Sequence, residues 1–338
     1  MNRYLVPKQG WQFLDLAKAY GIGVIAHALS EDAEISDAGA YYEVKTQKEL
    51  DFSRIPKIQE YLGDDLEEWG YVLATLNKAK VEKLKQEIRK FFSDENNVKR
   101  LLSGHLGGKS VTLPQSLELA ASKGIRKAVP SSYSEDQVKI LQEEFYLAVL
   151  GAINVSLWKY SKEYWVAVYP LPSDTKIRHI YTIRSKLKES IKGFHRAGYF
   201  TTVAYIAARL VKEEKALSNG GKFSPKIGGL LYGVMMKTGN QPKPFTSGLF
   251  PLELLYTIVV SNEDALDMWL KIFEFTSFKK GYEDLALSLA KFIAEPSLDN
   301  YYSYVRLHLR NELKKDSLKF GVYDADSLLE VLKNVEVS

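Results

Sequence analysis

The sequence predicts an α+β fold that is predominantly α-helical, with a small central β-sheet and a helical carboxy-terminal bundle. Three observations carry this. Apolar residues recur at helical spacing, as at Leu66, Trp69, Leu73, Leu76, Leu84, Ile88 and Phe91. The run Tyr164 to Tyr169 (YWVAVY), aromatic and β-branched, reads as a strand. Beyond Pro251 the pattern is helical to the end, with caps at Asn262, Pro296-Ser297 and Asp324. With 338 residues, 46% of them apolar, the chain can bury a proper core in one large domain or two ordinary ones. We place a mixed, mostly helical domain at 1–160 and a basic region followed by the helical bundle at 161–338, although no linker marks the boundary.

Taken in order, a short strand is expected at Arg3 to Val6, a helix from Gln9 to Leu29 and a strand at Tyr41 to Thr46. The helix is apolar almost all round, which makes it a core helix, and Gly21 and Gly23 let another element approach it closely. His27 on it reads as a core residue, with a ligand or base as the alternative. The acidic patch Glu31, Asp32, Glu34 and Asp37 reads as a solvated loop, with a metal site as the alternative. Amphipathic helices follow from Asp64 to Phe92, their charge run Lys78 to Lys90 forming a solvated face. Leu113 to Lys123 and Ser134 to Leu150 read as further helices. Pro170 and Pro172 should stop the strand at Tyr169.

Charge is the strongest chemical signal. From Lys176 to Lys243 there are fourteen Lys or Arg and three acids, a balance of +11, so the rest of the +4 chain carries 4 − 11 = −7. A basic block on an acidic body fits a polyanionic partner, of which nucleic acid is the usual one. Lys176 to Arg184 (KIRHIYTIR) alternates like a strand, with Lys176, Arg178, Ile180, Thr182 and Arg184 on one face, and the cations continue in Lys186, Lys188, Lys192, His195 and Arg196. An apolar helix then runs from Gly198 to Lys215.

Asn219 to Gly248 holds seven glycines, three prolines and no acid in thirty residues, and reads as a long shaped loop presenting Lys222, Lys226, Lys237 and Lys243. Asn240 and Gln241 pair donors with acceptors and could read base edges, or only cap the turn.

Catalytic signals are sparse: there is no HExxH and no GxSxG, and the five histidines are isolated. Ser103 to Ser110 (SGHLGGKS) is not a phosphate-binding loop, because serine stands where glycine is needed, a helix precedes it, and Pro114 interrupts what should be a helix. No catalytic residue, metal or cofactor is therefore expected. The absence of cysteine excludes disulfides and thiolate chemistry and fits an intracellular protein. The amino terminus lacks the pattern of a signal peptide and no apolar run approaches a membrane span, so the expectation is a cytoplasmic protein with no membrane contact. Abundant Lys, Glu and Tyr fit a thermophile.

The segment LLYGVMMKTGNQPKPFTSGLFPL, with the early LDLAKAYGIGVIAHALS and YYEVKT, resembles the large subunit (Cas-eight family, second variant) of archaeal type I-A CRISPR interference complexes. The resemblance spans most of the chain. It implies a non-enzymatic member of an RNA-guided antiviral surveillance complex, with target DNA, CRISPR RNA, and the backbone, small-subunit and helicase-nuclease proteins as partners. It further implies sensing of the motif that flanks the target. The candidate contacts, chosen by charge, are Lys176, Arg178, Arg184, Lys186, Lys192, Arg196, Lys222, Lys226, Lys237, Asn240, Gln241 and Lys243. The alternatives are a general nucleic-acid binder or scaffold, and a nuclease with dispersed residues.

Overall fold

The computed structural model describes residues 2–119, 138–161, 163–194, 198–218, 223–238 and 241–312. Among these, helices dominate and two apolar cores lie on opposite sides of a shared sheet.

The first core is built on α1 (Gln12–Ser30), in which every residue from Phe13 onward is buried. A helix enclosed on all sides must be apolar all round, which is the pattern in the sequence. Its main neighbour is α6 (Gln142–Val155), also buried throughout from Glu143. The two helices touch backbone to backbone. A Cβ on Gly151 would collide with the carbonyl oxygen of Ala17 and stand 2.6 Å from the amide nitrogen of Gly21, and a Cβ on Gly21 would collide with Leu147. Gly23 sits against Ile177 in the same way, so both expected close approaches are present. The exposed end of α1 is capped from far away, since the Glu118 carboxylate accepts from Phe13 N at 3.1 Å and Leu14 N at 3.4 Å.

An antiparallel sheet flanks this helix pair. Its order is β1 (Asn2–Pro7), β3 (Tyr41–Thr46), β2 (Ala33–Asp37) and β8 (Thr175–Lys176). β2 corrects the expected acidic loop: Ala33 and Ile35 point into the core while the polar residues alternate outward. Three of the four acids of that patch are occupied, Glu31 by Arg54 and Lys57, Asp37 by Lys8, and Asp32 by the amide of Gln47. His27 is a core imidazole, edge-on to Tyr61, with its pKa lowered first by burial.

Next come α2 (Pro56–Leu62), α3 (Leu66–Val72), α4 (Lys78–Phe92) and α5 (Glu95–Leu102); α3 and α4 fill the stretch where the periodicity predicts helices, α5 is the helix expected before Ser103, and α2 is not among the expected helices. Asp65, Asn77 and Asp94 cap the last three by accepting backbone amides. Two expected helices need correction. Leu113 to Leu119 is not α-helical, and the remainder of that expectation lies outside the described residues. Lys139–Leu141 is a strand, β5, paired antiparallel with β4 (Ser110–Thr112), so α6 begins at Gln142; residues 134–137 are outside the described set. In the Gly-rich stretch before β4, the Gly107 amide donates to the Glu143 carboxylate at 2.7 Å.

The shared sheet has the order β10 (Gln241–Phe250), β9 (Ile227–Thr238), β7 (Tyr164–Pro172) and β6 (Leu157–Tyr160), antiparallel throughout. Alternation along β7 serves both cores: Ala167 and Tyr169 face the first, Val166 and Val168 the second. A boundary at residue 160 cuts this sheet between β6 and β7. The expected long loop is corrected here, since most of it is the β9–β10 hairpin. Two of its glycines mark close approach: Gly233 packs against Phe13 and Leu119, and Gly248 against Tyr232. Pro242 and Pro244 are tolerated because β10 is the edge of the sheet. The strand β7 likewise runs through Pro170 to Pro172.

The second core is covered by α7 (Ile177–Gly193), α8 (Tyr199–Ala216), α9 (Glu253–Ser261), α10 (Glu263–Phe278), α11 (Glu283–Ala294) and α12 (Leu298–Glu312). Tyr301 and Tyr304 are core residues and Tyr302 is exposed. The expected helix at Ala325 to Lys333 lies outside the described residues.

Candidate nucleic-acid interface

The basic block is carried by α7, which overturns the strand expected at Lys176 to Arg184. Over nine residues KIRHIYTIR fits alternation, but the buried positions Ile177, Ile180, Ile183, Leu187 and Ile191 are spaced by three and four, which is the helical period. Lys176, Arg178 and Arg184 therefore do not share a face. The outward stripe consists of Arg178, Tyr181, Ser185, Lys186, Glu189 and Lys192.

Arg184 points inward. It is 9% exposed, its Nε donates to the Ser156 carbonyl at 2.9 Å, and its guanidinium reaches Glu68 at 3.3 Å. Burial holds its pKa down at about 10. A side chain committed in this way is a structural cation, so this candidate contact is withdrawn from the surface.

At the start of α7, Lys176 is exposed beside Lys226. The Thr175 hydroxyl donates to the Lys226 carbonyl and Ser173 N donates to the same oxygen at 2.9 Å. The buried Glu214 carboxylate fixes this junction by accepting from Lys226 N at 2.5 Å and from the Tyr256 hydroxyl at 2.6 Å. Burial, and then that carboxylate, pushes the Tyr256 pKa up.

At the other end, Lys192 is exposed, with only a loose 3.8 Å pairing to Glu189. Lys159 of β6 donates to the carbonyls of Ile191 and Lys192, each at 2.9 Å, and so caps the negative end of the helix. Burial lowers the Lys159 pKa. Lys237, on β9, lies 4.8 Å over the ring of Tyr160. Lys186 sits between the two ends and pairs with Glu213 at 3.1 Å.

The structure thus assembles a track from Lys226 and Lys176, past Arg178 and Lys186, to Lys192, Lys159 and Lys237. Lys226 and Lys237 are eleven residues apart along β9, or about 35 Å at the rise of a strand. Lys243 is registered against Met236, and the pleat sends those two to the face of the second core, opposite Lys237. Gln241 is registered against Thr238. Asn240, Lys222 and Arg196 lie outside the described residues.

Charge counting named Lys188 but missed Lys159, Tyr160, Glu67 and Glu68, which meet it only in three dimensions. Between α3, β6 and the end of α7 they surround a cavity of about 300 Å³. The strand Trp158-Lys159-Tyr160, with its cation between aromatics just ahead of the basic block, is the local signal that could have pointed there. Among the described residues, no group of three or more His, Asp or Glu stands close enough to hold a metal ion, and no helix is long and apolar enough to cross a membrane.

No family model matches the chain. A protein of Archaeoglobus fulgidus, described only as uncharacterized, is 46% identical over 351 residues, an alignment that covers 100% of this chain and 99% of the relative. The chain belongs to the same family as this archaeal protein.

Proposed function

We propose that this chain is the large, DNA-contacting, non-enzymatic subunit of a CRISPR RNA-guided antiviral complex, acting in the cytoplasm and sensing the motif that flanks its target. The observation that carries the proposal is the track of outward cations along α7, continued by Lys226 at one end and Lys237 at the other. Lysines and arginines in a line displace condensed counterions from a phosphate backbone, and the track has the extent of a polymer contact, not of a small ligand. The likeness in sequence to type I-A large subunits supplies the cellular setting. The archaeal relative is described only as uncharacterized and names no activity.

The test is equilibrium binding of the full chain to duplexes that differ only in the flanking motif, measured across a salt series and repeated with CRISPR RNA and the backbone, small-subunit and helicase-nuclease proteins. Motif-dependent affinity with a steep salt slope is expected. Equal affinity for every motif removes the sensing role and leaves a general nucleic-acid binder or scaffold. Metal-dependent cleavage by the purified chain replaces the proposal with a nuclease.

A further inference from the structure

The cavity between α3, β6 and α7 is not needed to grip a backbone, and its walls are unlike one another. Its lining includes three lysines, of which Lys159 donates to the Ile191 and Lys192 carbonyls, Lys188 pairs with Glu68, and Lys192 is exposed. It also includes Glu67 and Glu68. Glu68 is engaged by Arg184 and Lys188, whereas Glu67 is exposed and accepts from the Tyr71 hydroxyl on its own helix. Tyr160, 47% exposed, Leu157 and Ile191 line the same cavity.

Each wall selects a different chemistry. The lysines suit a phosphate, an exposed tyrosine ring suits the face of a base, and a carboxylate accepts from an exocyclic amine of adenine or cytosine. A volume of about 300 Å³ is at the lower end of small-ligand sites, the scale of one nucleoside and too small for paired strands.

We propose that this cavity takes one unpaired, amine-bearing nucleotide, with its base against Tyr160, its amine toward Glu67 and its phosphate among Lys159, Lys188 and Lys192. The nucleotide is either a residue displaced from a bound strand or a free mononucleotide. The first source rests on the function proposed above and the second does not. If a strand supplies it, the cavity lies at the Lys192 and Lys237 end of the cation track, where a backbone lying on α7 can feed it.

The probes are AMP and two short duplexes, identical except that one carries a single unpaired adenosine. Tyr160→Ala truncates a half-exposed side chain, and Tyr160→Phe keeps the ring and serves as the rescue. For a strand-borne nucleotide, Tyr160→Ala weakens the bulged duplex roughly tenfold, the perfect duplex less than about twofold, and Tyr160→Phe binds both as the wild type does. If both duplexes bind and Tyr160→Ala weakens them equally or not at all, the cavity inference is overturned and the nucleic-acid reading survives. If neither duplex binds but AMP does, and Tyr160→Ala abolishes that binding, the cavity stands as a mononucleotide site and the proposed function falls. If neither duplex nor AMP binds, both are overturned.

Discussion

The Lys237 ammonium lies 4.8 Å from the centroid of the Tyr160 ring, and this contact ties the far end of β9 to the end of β6. It sets a cation of the hairpin on the ring of a residue that lines the same cavity as Lys192 in the last turn of α7. Charge reversal at both positions tests whether the two ends of different elements act as one surface. Lys192→Glu with Lys237→Glu should weaken duplex binding and lower the slope of log affinity against log salt by nearly two, at about 0.9 for each phosphate that is no longer neutralised. An unchanged slope would mean that neither lysine meets phosphate.

Backbone contact between α1 and α6 should be the most sensitive packing site in the first core. Gly151→Ala drives a methyl group into the Ala17 carbonyl, where neither helix can yield without moving the other. The expected cost is about 3 kcal/mol or more. Gly228→Ala, whose added carbon meets nothing within 4 Å, should cost less than about 1 kcal/mol in the same urea titration.

How much of this was legible in the sequence depended on the length of each pattern. The core helix α1, the strand at Tyr41 to Thr46 and the long helix at Glu263 to Phe278 declare themselves through periods repeated several times. The first helical turns of KIRHIYTIR do not, because nine residues satisfy both periods until Leu187 and Ile191 break the tie. The β9–β10 hairpin was hidden by its composition. Gly233 admits Phe13 and Leu119 from elsewhere and Gly248 admits the ring of its cross-strand partner Tyr232, which single-chain turn statistics read as loop. The capping of α1 by Glu118 lies outside any local pattern, since 105 positions separate donor and acceptor. The same limit applies to the candidate site: the cations of α7 were readable as charge, but the inward turn of Arg184 and the arrival of Lys159 and Tyr160 required the fold.

The buried pair of Arg184 and Glu68 offers a test of order. Removing the partner strands a guanidinium that is 9% exposed, whereas replacing the guanidinium with an apolar chain removes the buried charge itself. Glu68→Ala should therefore cost about 3 kcal/mol, and Arg184→Met clearly less, by chemical denaturation. The reverse order would show that Glu68 matters little to Arg184.

Glu31 predicts part of the acid response. The Lys57 ammonium and the Arg54 guanidinium, both hydrogen-bonded to its carboxylate, hold its pKa at about 2. A carboxyl depressed in the folded state stabilises the fold above its ordinary pKa, and that contribution is lost as pH falls toward the folded value. The window here runs from about pH 4.5 down to about 2. Because the group is at the surface, salt should screen the effect. Glu31→Gln should melt closer to the wild type at the bottom of that window than at the top, and the gap at the top should narrow with added salt.

The length of the cation track sets the length of the ligand that can use it. Lys226 and Lys237 are about 35 Å apart along β9, and Lys176 and Lys192 about 24 Å apart along α7, which corresponds to about seven to ten base pairs of duplex at 3.4 Å per step. Affinity should rise with duplex length up to that span and then level, apart from a statistical gain in positions. A sharper consequence concerns single variants. Lys176→Glu should weaken duplexes longer than the span, yet leave a duplex of about half that length almost unaffected, because the short ligand can retreat to the Lys192 and Lys237 end. If Lys176→Glu weakens short and long duplexes by the same factor, the two ends do not belong to one continuous contact, and the track along α7 is not the path of the backbone.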